Sequence, residues 1–129
     1  MSTENESIDW ELRLGYLMHD VSRLRRSAFD RSLKPMNVTR SQWWVLAYLS
    51  RQDGMTQSQL AEELDLGEVA IGGLINRLEK SDLIRREADS TDRRVNRIFL
   101  QPQSKSLINK MRKMNHKLNE IILNGIDEK

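Results

Sequence analysis

The stretch from Thr56 to Leu100 constrains this chain more than any other, because it changes periodicity twice within a few turns of chain. Its first part, TQSQLAEELDL, starts with a Thr56 to Gln59 capping box and carries Leu60, Ala61 and Leu64 on one apolar face. Gly67 then opens a second helical run in which Ile71, Leu74, Ile75 and Leu78 recur at the i, i+3, i+4, i+7 spacing of one buried face. Beyond it, LIRREA and RIFL are short strand-like runs, separated by the polar loop DSTDRRVN with two arginines at its tip.

Two short helices joined by a tight turn and followed at once by a basic hairpin make the outline of a winged helix-turn-helix. Such a unit offers a helix for a major groove and a charged loop for a neighbouring groove or backbone. The rest of the chain supports a mainly α fold with this small β-hairpin wing. At 129 residues it suits one domain, and 38% hydrophobic against 31% charged residues fits a mostly helical protein.

Helices flank the central unit on both sides. Residues 1–7 are polar and acidic and are expected to be disordered. From about Ile8 to Lys34 a helical pattern takes over, with Leu14, Leu17, Val21, Leu24 and Ala28 stepping by threes and fours until Pro35 closes it. At 1.5 Å per residue this helix is roughly 40 Å long, more than so small a domain needs for itself, which predicts a partner surface for a second copy. Thr39 and Gln42 form another capping box, opening a helix expected to end near Asp53 and Gly54. In that helix Trp43, Leu46 and Leu49 share one side, while Trp44 and Tyr48 fall on another. One tryptophan is read as core; the other either packs on a neighbouring helix or lines a pocket for an apolar or aromatic ligand. Pro102 starts a last helix, with Leu107, Met111, Met114, Leu118 and Ile121 on a seam. The expected organisation is therefore dimerisation helices at 8–37 and 101–129 around a winged helix-turn-helix at 38–100.

Charge supports a local rather than a global affinity for phosphates. The formal net charge is only +2, yet Arg77, Lys80, Arg85, Arg86, Arg93, Arg94 and Arg97 cluster in the hairpin region against Glu79, Asp82, Glu87, Asp89 and Asp92. A solvated face of mixed charge is the alternative use of such residues.

An enzyme is not expected. The two histidines, His19 and His116, are far apart and lack metal-ligand spacing, and scattered carboxylates pair nowhere for acid and base work. GEVAIGGL has the outline of a phosphate loop but lacks the Lys and the Ser or Thr such a loop needs, so no cofactor is expected. The absence of Cys excludes disulfides, thiolate metal sites and thiol switches. With no apolar run of membrane-span length and no leader-like N-terminus, the protein is expected in the cytoplasm.

Three segments carry a resemblance to a known family: LKPMNVTRSQWWVLAYL, MTQSQLAEELDL and LINRLEKSDLIRREADSTDRRVNRIFL. The last follows R-L-E-x-x-G-L-[IV]-x-R and D-x-R-x-x-x-[IV]-x-L almost position for position. On these motifs the chain, from about residue 10 to 125, resembles the multiple-antibiotic-resistance regulator (MarR) family of bacterial transcription factors. The resemblance implies a triangular homodimer held by Leu14, Leu17, Val21, Met111, Met114, Leu118 and Ile121 of the terminal helices. Its two recognition helices would enter successive major grooves of a pseudo-palindromic operator. It further implies that Arg94, beside Arg93, enters a minor groove, that Asp92 holds the wing's shape and that Arg77 anchors the recognition helix. Thr56, Gln57 and Ser58 would meet phosphate at the start of the preceding helix.

The sequence departs from the family in three places. Positions facing the groove hold Ala70, Gly72 and Gly73 instead of polar or basic residues, with Glu68 near the start, which predicts poor side-chain readout, with close backbone approach or loose specificity as the reason for the glycines. SDL stands where GL is usual, so Asp82 takes a position suited to a left-handed residue. Family members usually continue with one more helix after GIDEK, leaving either a short member or a shortened chain. The function implied is a repressor released by a small aromatic or anionic effector, with Tyr16, His19, Arg23, Trp43 and Trp44 as the pocket. An activator or counter-silencer of the same fold, or a protein-interaction module without specific DNA binding, are the alternatives.

Overall fold

The computed structural model describes residues 3–126, with side chains from Asp9 onward. The first helix, α1, runs from Thr3 to Leu33, so residues 3–7 are helical where irregular chain was expected, while Met1 and Ser2 lie outside the described residues. No Gly or Pro interrupts the sequence before Gly15, and the helical run simply continues upstream. Pro35 ends it within a short 3-10 turn, Lys34–Met36, after which Asn37 adopts a left-handed conformation at φ 56°.

Helix α2, Arg40–Arg51, begins with the expected capping box: Gln42 N–H donates to the Thr39 hydroxyl at 3.2 Å and Thr39 N–H to the Gln42 side-chain Oε1 at 3.0 Å. Trp43, Val45, Leu46 and Leu49 face the core, and Trp44 stays outside at 42% exposure with Tyr48 beside it, ring centroids 6.1 Å apart. The helix stops at Arg51, ahead of Gly54, whose φ of 78° turns the chain into β1, Met55–Thr56. That two-residue strand was not foreseen. It lies antiparallel to β3, Asn96–Leu100, with Met55 opposite Ile98, and β3 lies between it and β2, Ile84–Ala88. The wing is thus a three-stranded sheet whose third strand leads straight into the helix-turn-helix.

Helices α3, Gln57–Leu64, and α4, Glu68–Lys80, follow as expected, the first capped by Thr56 and Gln59 and the second opening after Gly67. Between them Asp65 takes a left-handed turn, and after α4 Asp82 does the same at φ 58°, as expected. Leu60, Ile71, Leu74, Ile75 and Leu78 from the two helices meet Leu46 and Leu49 of α2, Ile84 and Ile98 of the sheet, and Phe29 and Leu33 of α1 in one continuous core.

The final helix, α5, Ser104–Ile122, begins two residues beyond Pro102. Its seam is largely consumed by its own chain. Met111 is fully buried in the core and Met114 and Leu118 pack partly against it, so Met111 offers no surface to a second copy. Ile121 remains exposed, and residues 127–129 lie outside the described residues. Two contacts fix the helix in place: the Arg25 guanidinium donates to Asn115 at 3.1 Å, and that of Arg112 to Ser50 at 3.4 Å. Upstream of Arg25, α1 leaves the domain, with Trp10, Leu14, Leu17, Val21 and Leu24 all exposed. Among the described residues no helix is long and apolar enough to cross a membrane.

Candidate nucleic-acid interface

One face of the molecule gathers most of the expected contact residues. The start of α3, the first turn of α4 and the returning limb of the wing enclose an open cleft of about 320 Å³, lined by Thr56, Gln57, Ser58, Glu68, Arg94 and Asn96 among others. The α3 capping box satisfies the N–H groups of Thr56 and Gln59, with no hydrogen bond made by those of Gln57 and Ser58 among the described residues. Two backbone donors therefore point out of a helix N-terminus beside the Arg94 side chain, an arrangement suited to a phosphate.

The outward side of α4 is unusually bare. Ile71, Leu74, Ile75 and Leu78 are buried, which leaves Glu68, Val69, Ala70, Asn76, Arg77 and Lys80 exposed and Gly72 and Gly73 partly so. Each glycine has a neighbour: a β-carbon on Gly72 would lie 3.6 Å from the Gln57 side-chain nitrogen, and one on Gly73 would lie 3.3 Å from the Arg77 guanidinium. Arg77 folds back over Gly73 and makes no ion pair among the described residues. A side chain at position 73 would press on that guanidinium, which would have to shift by a few tenths of an ångström.

Sequence counting overstated the basic surface, because three of its seven cations have partners within the fold. Arg97 pairs with Asp89 and donates to the Gly54 carbonyl at 2.9 Å. Arg86 holds Glu79 through its guanidinium at 3.1 Å and its backbone N–H at 3.2 Å, clamping β2 to the end of α4. Arg85 lies 4.8 Å from the centre of the Phe99 ring and donates to Glu87 at 2.9 Å. What remains for a ligand is Arg77, Lys80, Arg93 and Arg94. Arg94 is 92% exposed and leans on Asp92 at 3.1 Å, an ion pair too solvated to hold it against a competing anion.

The acid that organises the wing is Asp89 more than Asp92. One Asp89 oxygen accepts from the Thr91 hydroxyl, the Thr91 N–H at 3.2 Å and the Asp92 N–H at 3.1 Å, while the other takes Arg97. These donors, the Thr91 hydroxyl foremost and then the Arg97 guanidinium, hold the Asp89 carboxyl far below the usual carboxylate range. Asp92 is lowered as well, by the Arg94 side chain first and its backbone N–H second. Asp89 was missed in the sequence, although an Asp-Ser-Thr run leaving a strand is the composition of a side-chain-closed turn. Asp53, which accepts from Leu100 N–H at 2.9 Å, and the Glu79 and Arg86 clamp were missed too, since their partners are remote in sequence.

The residues expected to form an effector pocket do not meet within one chain. Tyr16, His19 and Arg23 stand exposed on the projecting part of α1, and Trp43 is in the core. Trp44 instead borders a cleft of about 340 Å³ between α1 and α2, whose other walls include Arg25, Arg26, Phe29 and Arg40. Arg25 lies over the Phe29 ring at 5.8 Å, and Arg40 reaches Asp30 at 3.7 Å.

Comparison with known protein families matches residues 36–95 to the MarR family. Among solved structures, the transcriptional regulator PA3341 is 33% identical with a TM-score of 0.78, over 89% of this chain and 85% of that one. A MarR transcriptional regulator from Methanosarcina mazei Go1 is 25% identical with a TM-score of 0.80, over 90% of this chain and 84% of that one. The MepR–DNA complex of S. aureus is 26% identical with a TM-score of 0.79, over 88% of this chain and 85% of that one.

Proposed function

Because the chain belongs to the MarR family of transcriptional regulators, we propose that it binds duplex DNA sequence-specifically as a homodimer and represses transcription until a small anionic or aromatic effector releases it. The observation that carries the DNA-binding reading is the single exposed face shared by the bare side of α4, the unbonded N–H groups of Gln57 and Ser58, and the Arg93 and Arg94 wing tip. An α-helix fits a major groove, and an arginine held a hairpin's length away reaches the adjacent minor groove or its phosphates. The similar fold of a MepR–DNA complex supports the same use. Thr56, Gln57, Ser58, Glu68, Ala70, Gly72, Gly73, Arg77, Asp92, Arg93 and Arg94 are the proposed interface, with Asp89 as the residue that shapes it.

Dimerisation is supported by the exposed apolar length of α1. A stripe from Trp10 through Leu24 left in water would be a liability for a lone chain, and a second copy covers it most simply. The proposed contact uses Leu14, Leu17, Val21 and Ile121, within the terminal segments 8–37 and 101–129. Two winged units held at a fixed separation then read two half-sites about one helical turn of DNA apart. Such a regulator works in the cytoplasm and has no catalytic role.

The effector reading rests on the cleft at Trp44. Arg25, Arg26 and Arg40 supply cations, and Phe29 and Trp44 supply aromatic walls, for an aromatic carboxylate or a related anion. Release requires that the ligand prefer the conformation in which the two recognition helices are wrongly spaced for DNA. An activator would use the same contacts. A protein-docking use of α4 itself is favoured by the exposed apolar Val69 and Ala70.

Selection of genomic fragments by the purified protein, followed by gel shifts against random duplex, tests the reading. Enrichment of sites with two related half-sites supports it, and no preference over random duplex contradicts it. Calorimetry with a panel of aromatic acids tests the effector separately: DNA binding that persists with no heat from any acid removes the effector claim alone.

A further inference from the structure

Val69 is the most exposed large hydrophobic residue among those described, at 93%, and it stands on the second residue of α4. A lone apolar side chain on a surface is ordinary. Its company is what distinguishes this one. Positions 69, 72, 73 and 76 form the i, i+3, i+4, i+7 stripe on the outward side of the helix, opposite the buried Ile71, Leu74, Ile75 and Leu78. Two of the four are glycines, so of these four positions Val69 and Asn76 carry the side chains, with the Arg77 guanidinium lying over Gly73. Having no side chain at 72 and 73 allows the helix backbone to approach a surface more closely there once the Arg77 guanidinium swings aside. At the start of this stripe Val69 presents its two methyl groups almost wholly to the outside.

We infer that Val69 is a specificity-determining residue that seats against the C5-methyl group of a thymine in the major groove. The inference rests on the DNA-binding reading above and adds to it how a helix poor in hydrogen-bonding side chains can still discriminate. In the major groove thymine is the base that presents a methyl group, whereas the other edges present amino donors or ring and carbonyl acceptors. Against Val69 those polar edges would lose water and gain no partner, which disfavours them. Exposed cations nearby, Arg77 and Lys80 on α4 and Arg93 and Arg94 on the wing, the last in a solvated pair with Asp92, supply the attraction that brings the helix to the groove. Val69 therefore adds selectivity to an affinity that others provide.

The test uses the whole chain and a duplex that it selects from a random-sequence pool, with the thymines of that duplex replaced one at a time by deoxyuridine. The exchange removes the C5-methyl and keeps the base pairing. Burying one methyl group corresponds to about a fourfold change in affinity. The expected result is one position in each half-site at which deoxyuridine weakens binding about fourfold, with the loss abolished in Val69→Ala and retained in Asn76→Ala. Val69 is exposed, so Val69→Ala should melt at or above the wild-type temperature, which separates a readout defect from a folding defect. Tolerance of deoxyuridine at every position by the wild type, or an equal penalty in Val69→Ala, would overturn the inference while DNA binding stands. If no duplex is selected at all, the DNA-binding reading fails first and this one with it.

Discussion

Arg97 donates to Asp89 and, from the same guanidinium, to the Gly54 carbonyl, so one side chain ties the base of the wing to the turn that leads into the helix-turn-helix. Arg97 spends its guanidinium on partners within the fold, although it lies in the most basic stretch of the sequence. The position of Arg94 relative to the Gln57 and Ser58 N–H groups is therefore set by this part-buried network as well as by the hairpin.

Removing that network should loosen the wing while the fold persists. In Asp89→Ala we expect the amides of Thr91 and Asp92 to exchange faster, affinity for DNA to fall and the core amides of α2 and α4 to keep their protection. The carboxyl is held below its ordinary value, so its stabilisation is complete above about pH 4 and is lost as pH falls through the lowered folded value. Wild-type wing resonances should therefore stay fixed from pH 8 down to about pH 4. A wing transition near neutral pH would contradict this origin of its order.

Gly72→Ala separates a packing reason for the glycine from a DNA reason. The added β-carbon meets only the Gln57 side-chain nitrogen at an ordinary 3.6 Å, and alanine favours the helix by up to about 1 kcal/mol. Thermal melting should show an equal or more stable protein, and anisotropy titration a lower affinity for the operator. Unchanged affinity would mean that the α4 backbone does not approach the groove closely.

Leu17→Glu tests the assembly. Leu17 is 53% exposed in the single chain, so the substitution costs the isolated fold little. A charge set into an apolar contact between copies is costly, and sedimentation should show a monomer with much weaker operator binding. A dimer that survives the substitution would move the contact away from this stripe of α1.

What could be seen in advance was local. Both capping boxes, at Thr39 and Thr56, are signals between residues three apart, and the left-handed Asp82 follows from its place after a helix. The split between core Trp43 and outer Trp44 follows from helical spacing. What could not be seen depends on partners remote in sequence. Strand β1 has two residues and no pattern of its own; it exists because β3 passes beside it. Which arginines are free was decided by Glu79, Asp89 and Glu87 after folding, and a count of basic residues cannot anticipate that. Met111 fits the seam of a dimer helix equally well as the core of a single chain, and contact with the rest of the core decided between them.

The most direct measurement is the affinity of Arg94→Ala for a selected operator, followed across salt concentrations. Arg94 is almost wholly exposed and its loss costs the core nothing, so the variant should fold like the wild type. Binding should be markedly weaker, and the slope of log affinity against log salt should be smaller by about one unit, the loss of one phosphate-region contact. An affinity and a salt slope equal to those of the wild type would contradict a wing that enters DNA.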